Sequence, residues 1–276
     1  MEEEAGQGRS CAMSGGGGSS MDLLPPPGAI TLEQLQGDFE EEDEEEDEEE
    51  ECQEDRLLAY WQGVGRGHQV EVPPDMAEPI QQLTRNNQAQ DRETVPFTVI
   101  NRKEKFGELL YEKRHYGPSK WACVNAQEEQ YEQSICLGFM KIMRYICEQN
   151  SSGLYLGMTV PIVTVVHTEE AVPDIRRLVT VAYRLPSELQ DRPPEPCDPD
   201  ISIQEWPPAT VYARGFRGVT NEGTIAREIT SLAELLESPE LYVRDTFVVA
   251  GYTNPASANR QNEIWFLEKP EAAFQL

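Results

Sequence analysis

Trp121 and Tyr212 stand 91 residues apart, at matching places in a pattern that the chain runs through twice. Each copy reads strand, strand, helix, strand, strand. In the first, strands at Leu109–Lys113 and Lys120–Val124 precede a helix over Glu128–Glu148 and strands at Met158–Val166 and Arg177–Leu185. In the second, strands at Ile201–Gln204 and Thr210–Phe216 precede a helix over Thr224–Glu237 and strands at Asp245–Tyr252 and Asn262–Glu268. One such unit cannot cover both faces of its own sheet, so two must pair. The expected product is an α+β domain: an antiparallel sheet, strongly curved or barrel-like, with one helix from each half packed on it. A cleft is expected near the pseudo-twofold, where ligands bind.

Periodicity carries these assignments. In the first helix Ile135, Phe139, Ile142, Met143 and Ile146 recur at spacings of three and four and form one apolar stripe. Cys136, Met140 and Cys147 widen it. The stretch RLVTVAYRL alternates between two faces, as a half-buried strand does. Between the first two strands, YEKRHYGPSKWACV places Gly117-Pro118 where a tight turn is expected, which predicts a hairpin. Pro161, inside a strand pattern, predicts an edge or a bulge.

Charge divides the chain differently. Residues 1–92 hold 24 Asp and Glu against 5 Lys and Arg; residues 93–276 hold 26 against 18. Glu40–Glu51 is an unbroken run of twelve acids, kept extended by self-repulsion. Residues 1–92 therefore read as a disordered acidic leader and linker, with the linker over Val64–Gln90, and residues 93–276 as the domain. The leader is either a solubilising tail or a contact for a basic protein partner. Leu57–Trp61 is an apolar island that docks onto the domain or onto such a partner. A chain this acidic is a poor nucleic-acid binder. It has no apolar run long enough to span a membrane, and MEEEAGQGRS lacks the parts of a secretory signal. Six cysteines without metal-finger spacing read as reduced thiols in an intracellular protein.

Signatures for phosphate loops, dinucleotide folds, zinc proteases and serine hydrolases are absent from the sequence. His115, at the Gly-Pro turn, is a candidate axial ligand for an iron porphyrin or a turn histidine bonded locally. Met140, Met143 and Met158 could give soft sulfur contacts, or fill core. Arg144 and Arg260 could pair with a ligand carboxylate.

Six blocks then carry a resemblance: RHYGPSKW, GMTVP, DRPPEP, VYARGF, AGYTNP and NRQNEIWFLEK, in this order between Phe97 and Lys269. Together they closely resemble the SOUL/haem-binding protein family. The resemblance implies a distorted antiparallel β-barrel of two pseudo-symmetric halves flanked by two helices. It implies a soluble, usually cytoplasmic protein that binds haem or a related tetrapyrrole in an apolar cleft, without catalysis. His115 occupies the place of the histidine that some members use for iron. Phe139 would line the cleft. Of the family's basic positions near the propionates, the one late in the first helix is Arg144, an earlier one is Cys136, and the loop after Gly251-Tyr252 offers Arg260.

Overall fold

The computed structural model describes residues 56–89, 92–168, 178–257 and 259–270. The acidic run, the leader before it and Val172–Ile175, where the sequence predicts a turn, lie outside them. The described chain opens with helix α1 over 56–67. A short turn of helix at Pro74–Met76 leads into α2, Ala77–Ala89. Then come β1 (Glu93–Thr94), β2 (Phe97–Lys105), β3 (Glu108–Tyr116) and β4 (Ser119–Ala126). Helix α3 (Tyr131–Ile146) is followed by β5 (Thr159–Val160), β6 (Ile162–His167) and β7 (Leu178–Arg184). The second half is β8 (Ile201–Trp206), β9 (Ala209–Arg217), α4 (Glu222–Leu236), β10 (Tyr242–Gly251) and β11 (Gln261–Glu268). The order strand, strand, helix, strand, strand is thus present twice, with β1, β2 and β5 added.

Nine strands form one antiparallel sheet, ordered β2-β3-β9-β11-β10-β6-β7-β4-β8; β1 and β5 make a separate parallel pair. The order ends at β2 and β8 without returning on itself, so the sheet is open and not the closed barrel expected. The Gly117-Pro118 turn is not a hairpin either. β3 pairs with β2 and β9, whereas β4 pairs with β7 and β8. Tyr116 lies opposite Ala209 and, past the break, Ser119 lies opposite Trp206, so one register runs through the gap. Pro118, Pro207 and Pro208 have no N–H to donate, and the ladder stops where they face each other. The chain runs on instead of turning back. The hairpin of this region is β2–β3, with Phe106 and Gly107 at its tip, both at positive φ.

Aromatic pairs brace the break. Tyr116 stacks on Trp265 with ring centroids 4.9 Å apart, and Trp121 on Trp206 at 4.6 Å. Beside them Arg114 is buried. It donates to both Glu263 oxygens at 2.8 Å, crossing over β9, and to Glu112 at 2.7 Å. A buried cation needs this: breaking a buried pair leaves an uncompensated charge, at a cost of about 3–5 kcal/mol. Arg102 adds a second guanidinium to Glu112 at 2.6 Å.

The main core lies between the sheet and the helices, and α3 supplies much of it: Cys136, Met140, Ile142, Met143 and Ile146 are all buried. The linker expected over Val64–Gln90 is largely helix. Met76, in the preceding helical turn, and Ile80 and Leu83 of α2 recur at spacings of four and three and are buried on one side. The Asn, Gln and Pro around them hide a stripe of only three apolar residues. Helix α3 sits low on β7 because Gly138 lacks a side chain. A Cβ there would lie 2.5 Å from Val181 Cγ2 and 2.9 Å from its Cβ.

Two predictions follow from this packing. Gly138→Ala gains about 1 kcal/mol of helix propensity. It also drives a methyl into a stiff, β-branched neighbour, and such overpacking costs about 1–3 kcal/mol. The expected result is a net loss in urea unfolding, larger for Gly138→Val; a more stable Gly138→Ala chain would refute the close contact. The second concerns acid. Burial alone would raise the Glu93 and Glu112 carboxyls, but bonds from Ser187 and Arg184 to Glu93, and from Arg102 and Arg114 to Glu112, hold both below the usual range. Such groups stabilise the fold fully above their unfolded value and lose that as the pH falls through the folded one. Thermal melts should hold from pH 7 to about pH 4.5 and then fall steeply. Glu93→Gln should flatten that acid limb, and an unchanged limb would rule Glu93 out as a contributor.

Candidate functional site

A cavity of about 180 Å³ opens between α1, α3, β6 and the segment from Tyr252 to Asn262. Helix α3 turns Tyr131, Ile135 and Phe139 towards it. These residues recur at spacing four, one step round the helix from the buried Cys136, Met140 and Met143. The sheet side is apolar, with Met158, Ile162 and Val249. Helix α1 forms the outer wall. Trp61, 3% exposed, stacks on Phe139 with centroids 4.4 Å apart and planes at 24°. Its indole Nε1 is buried without an acceptor among the described residues.

Two guanidinium groups border this apolar space. Arg260 is 7% exposed. Its Nε donates to the Ser257 carbonyl at 3.3 Å and its Nη1 to the Tyr60 hydroxyl at 3.3 Å, and the group lies 4.8 Å from the Tyr60 ring centroid. Among the described residues no carboxylate lies within ion-pair distance of it. Arg92 donates to the Tyr252 carbonyl at 3.4 Å and likewise has no ion pair among the described residues. Buried charge is normally neutralised by a partner. A buried guanidinium held by a carbonyl, a phenol and a ring face keeps its full positive charge, and it can take a carboxylate in bidentate fashion.

Of the residues singled out in the sequence, Phe139, Met158 and Arg260 line the cavity together. Met140 and Met143 do not; they lie beneath α3 in the core. Arg144 faces away and pairs with Asp75 at 2.7 Å. His115 is exposed on β3, with Nδ1 3.3 Å from Thr210 Oγ1, and does not border the cavity. Strand alternation explains it: Glu112, Arg114 and Tyr116 are buried on one face, which turns His115 to the other. The Cys123 thiol is buried, and burial pushes it up to about 12. Among the described residues no group of three or more His, Cys, Asp or Glu is placed to hold a metal ion, and no helix is long and apolar enough to cross a membrane.

The site also holds residues that the sequence did not single out. Arg92 stood alone at the domain edge with no pattern around it. Tyr131 and Ile135 belonged to the helical region without a functional mark. Tyr60 and Trp61 were visible as an apolar island, but nothing in their spacing said which surface they would cover.

Comparison with known proteins bears on the fold and the site together. The model of the SOUL heme-binding protein family matches residues 92–267. Heme-binding protein 2 of Homo sapiens is 31% identical over 163 residues, 58% of this chain and 79% of that one. Heme-binding protein 1 of Bos taurus is 31% identical over 180 residues, 65% of this chain and 93% of that one. Among solved structures, the EcmrR C-terminal domain has 13% identity and a TM-score of 0.44 over 58% of this chain and 98% of that one, and at that distance it carries no argument. Matched over most of its length from Arg92 onward, with its strand-strand-helix-strand-strand halves intact, this chain belongs to the SOUL heme-binding protein family.

Proposed function

We propose that the chain binds haem, or a related tetrapyrrole, non-covalently in the cleft between α3 and the segment from Tyr252 to Asn262. It does so as a cytoplasmic carrier or buffer without catalysis. The observation that carries this reading is Arg260, a buried cation with no carboxylate partner among the described residues, set against an apolar wall. A flat apolar ring edged by two carboxylates is the complement of such a surface. Phe139, Ile135 and Met158 would face the ring, and Arg260 and Arg92 would take the propionates. When bound, the ring supplies apolar area and two anions. At about 25 cal/mol per Å², a few hundred Å² of buried ring gives several kcal/mol before association costs. Binding at micromolar affinity therefore needs no bond from the protein to the iron. His115, on the outward face of β3, has no part in it. The four described cysteines are unpaired, which supports a reducing compartment.

Titrating ferric protoporphyrin IX into the full chain should give a saturable shift of the Soret band. Arg260→Met removes a charge-assisted contact and should weaken binding about tenfold or more. A variant with unchanged affinity would end the propionate role of Arg260. His115→Ala should leave both the spectrum and the affinity as they are, and a lost or shifted band there would bring the histidine back as an iron ligand.

A further inference from the structure

The cleft is not free. As the chain stands, the space in it is about 180 Å³, below the roughly 300–1,000 Å³ of pockets that enclose drug-sized ligands, and a tetrapyrrole is larger than most of those. What fills the remainder is α1. Its Trp61 lies face to face with Phe139, and its Tyr60 covers the guanidinium of Arg260. These are the aromatic face and the cation that a ring with propionates would use. Trp61 offers a flat apolar ring to the one, and Tyr60 offers a π face and an oxygen to the other. Helix α1 thus mimics the ligand chemically. It also lies outside the region that matches the family, which begins at residue 92.

Helix α1 is poorly built to stand alone. Its described part covers 56–67, and Gly63, Gly65 and Gly67 fall in the last five of those residues. Each glycine weakens a helix by about 1 kcal/mol relative to alanine. Its order therefore comes from docking. Its exit is pinned at a few points. The His68 ring meets the Gln130 side chain, Gln133 Nε2 donates to the His68 carbonyl at 2.7 Å, and the Val70 N–H donates to the Gly65 carbonyl at 2.8 Å. The seat is also incomplete, since the buried Trp61 Nε1 has no acceptor among the described residues.

We propose that α1 is a built-in competitor for the tetrapyrrole cleft: it occupies the site through Trp61 and Tyr60 and must leave for the ring to enter. This rests on the tetrapyrrole reading of the cleft. Coupling of this kind is reciprocal. Whatever affinity α1 takes from the ring, the ring takes from the docking of α1, so loading the protein releases the segment that joins the acidic leader to the domain.

The test uses the full chain and ferric protoporphyrin IX, followed by Soret absorbance, with far-ultraviolet circular dichroism as a check on folding. Trp61→Ala removes the stacked ring. Gly65→Ala keeps every cleft side chain, but its new Cβ would fall 2.4 Å from the Val70 carbonyl oxygen and so disturbs the seating of α1. It carries the test if Trp61→Ala fails to fold. Each variant should bind the porphyrin about tenfold or more tighter than the natural chain, because the competent state no longer has to be reached by undocking. Saturating porphyrin should also speed tryptic cleavage after Arg66 in the natural chain. Equal or weaker binding in both variants, with cleavage unchanged, would overturn the competitor role and leave Trp61 as an ordinary wall of the site. Absence of binding in all folded chains would instead remove the tetrapyrrole reading, and the competitor with it.

Discussion

A missing side chain sets the height of the cleft. Gly138 lets α3 settle onto Val181 of β7, and Val181 also borders the cavity. With α3 at that depth, Cys136, Met140 and Met143 reach the sheet and close the core. Ile135 and Phe139, offset by one helical step, are left half-buried beside it, facing sideways. An ordinary residue at 138 would lift the helix and replace that division with a single shallow contact. The lateral apolar wall follows from how closely helix and strand approach.

The sheet beneath obeys a different constraint. Two long strands, β3 with β4 and β8 with β9, face each other in one register and share an interruption where prolines cannot donate. The interruption divides the sheet without displacing either half. Aromatic pairs on both sides of it and the Arg114 network across β9 hold the halves to that register. A buried guanidinium with two carboxylates makes weak material for raw stability, because desolvation cancels much of the attraction. Its geometry is demanding, though, and a strand slipped by one residue would turn Arg114 out to solvent and leave Glu263 behind.

This explains what could be read from the residues alone. The two helices, the alternating strands and the doubled order were legible because each is written in local periodicity. The pairing of strands was not. Gly117-Pro118 signals a turn wherever it occurs, and nothing near it says that the partner strand lies about ninety residues on. The closed barrel failed for the same reason, since closure depends on which edges meet. Phe139, Met158 and Arg260 line the cavity together, while His115 lies on the other face of β3, which is set by the burial of its neighbours Arg114 and Tyr116. Arg92 carried no signal, and Tyr60 stood only in an apolar island with no surface assigned to it, as each gains meaning only from what lies across the cleft. The three apolar residues Met76, Ile80 and Leu83 were hidden by the polar composition around them.

Arg260 is buried with no carboxylate partner among the described residues. A buried guanidinium without a carboxylate is costly in an apolar setting, and the protein eases that cost in the mildest way available. A phenol ring lies against the charge, and two neutral oxygens accept from it. A carboxylate from the protein itself would neutralise the cation and close the site to anionic ligands. Tyr60 instead satisfies the group while leaving its charge intact. Phe139 is covered in the same manner, by a ring that stacks but does not interlock. Interactions that are each adequate and replaceable are what a cleft needs if its neutral cover is to be exchanged for a flat ligand that brings an anion to Arg260.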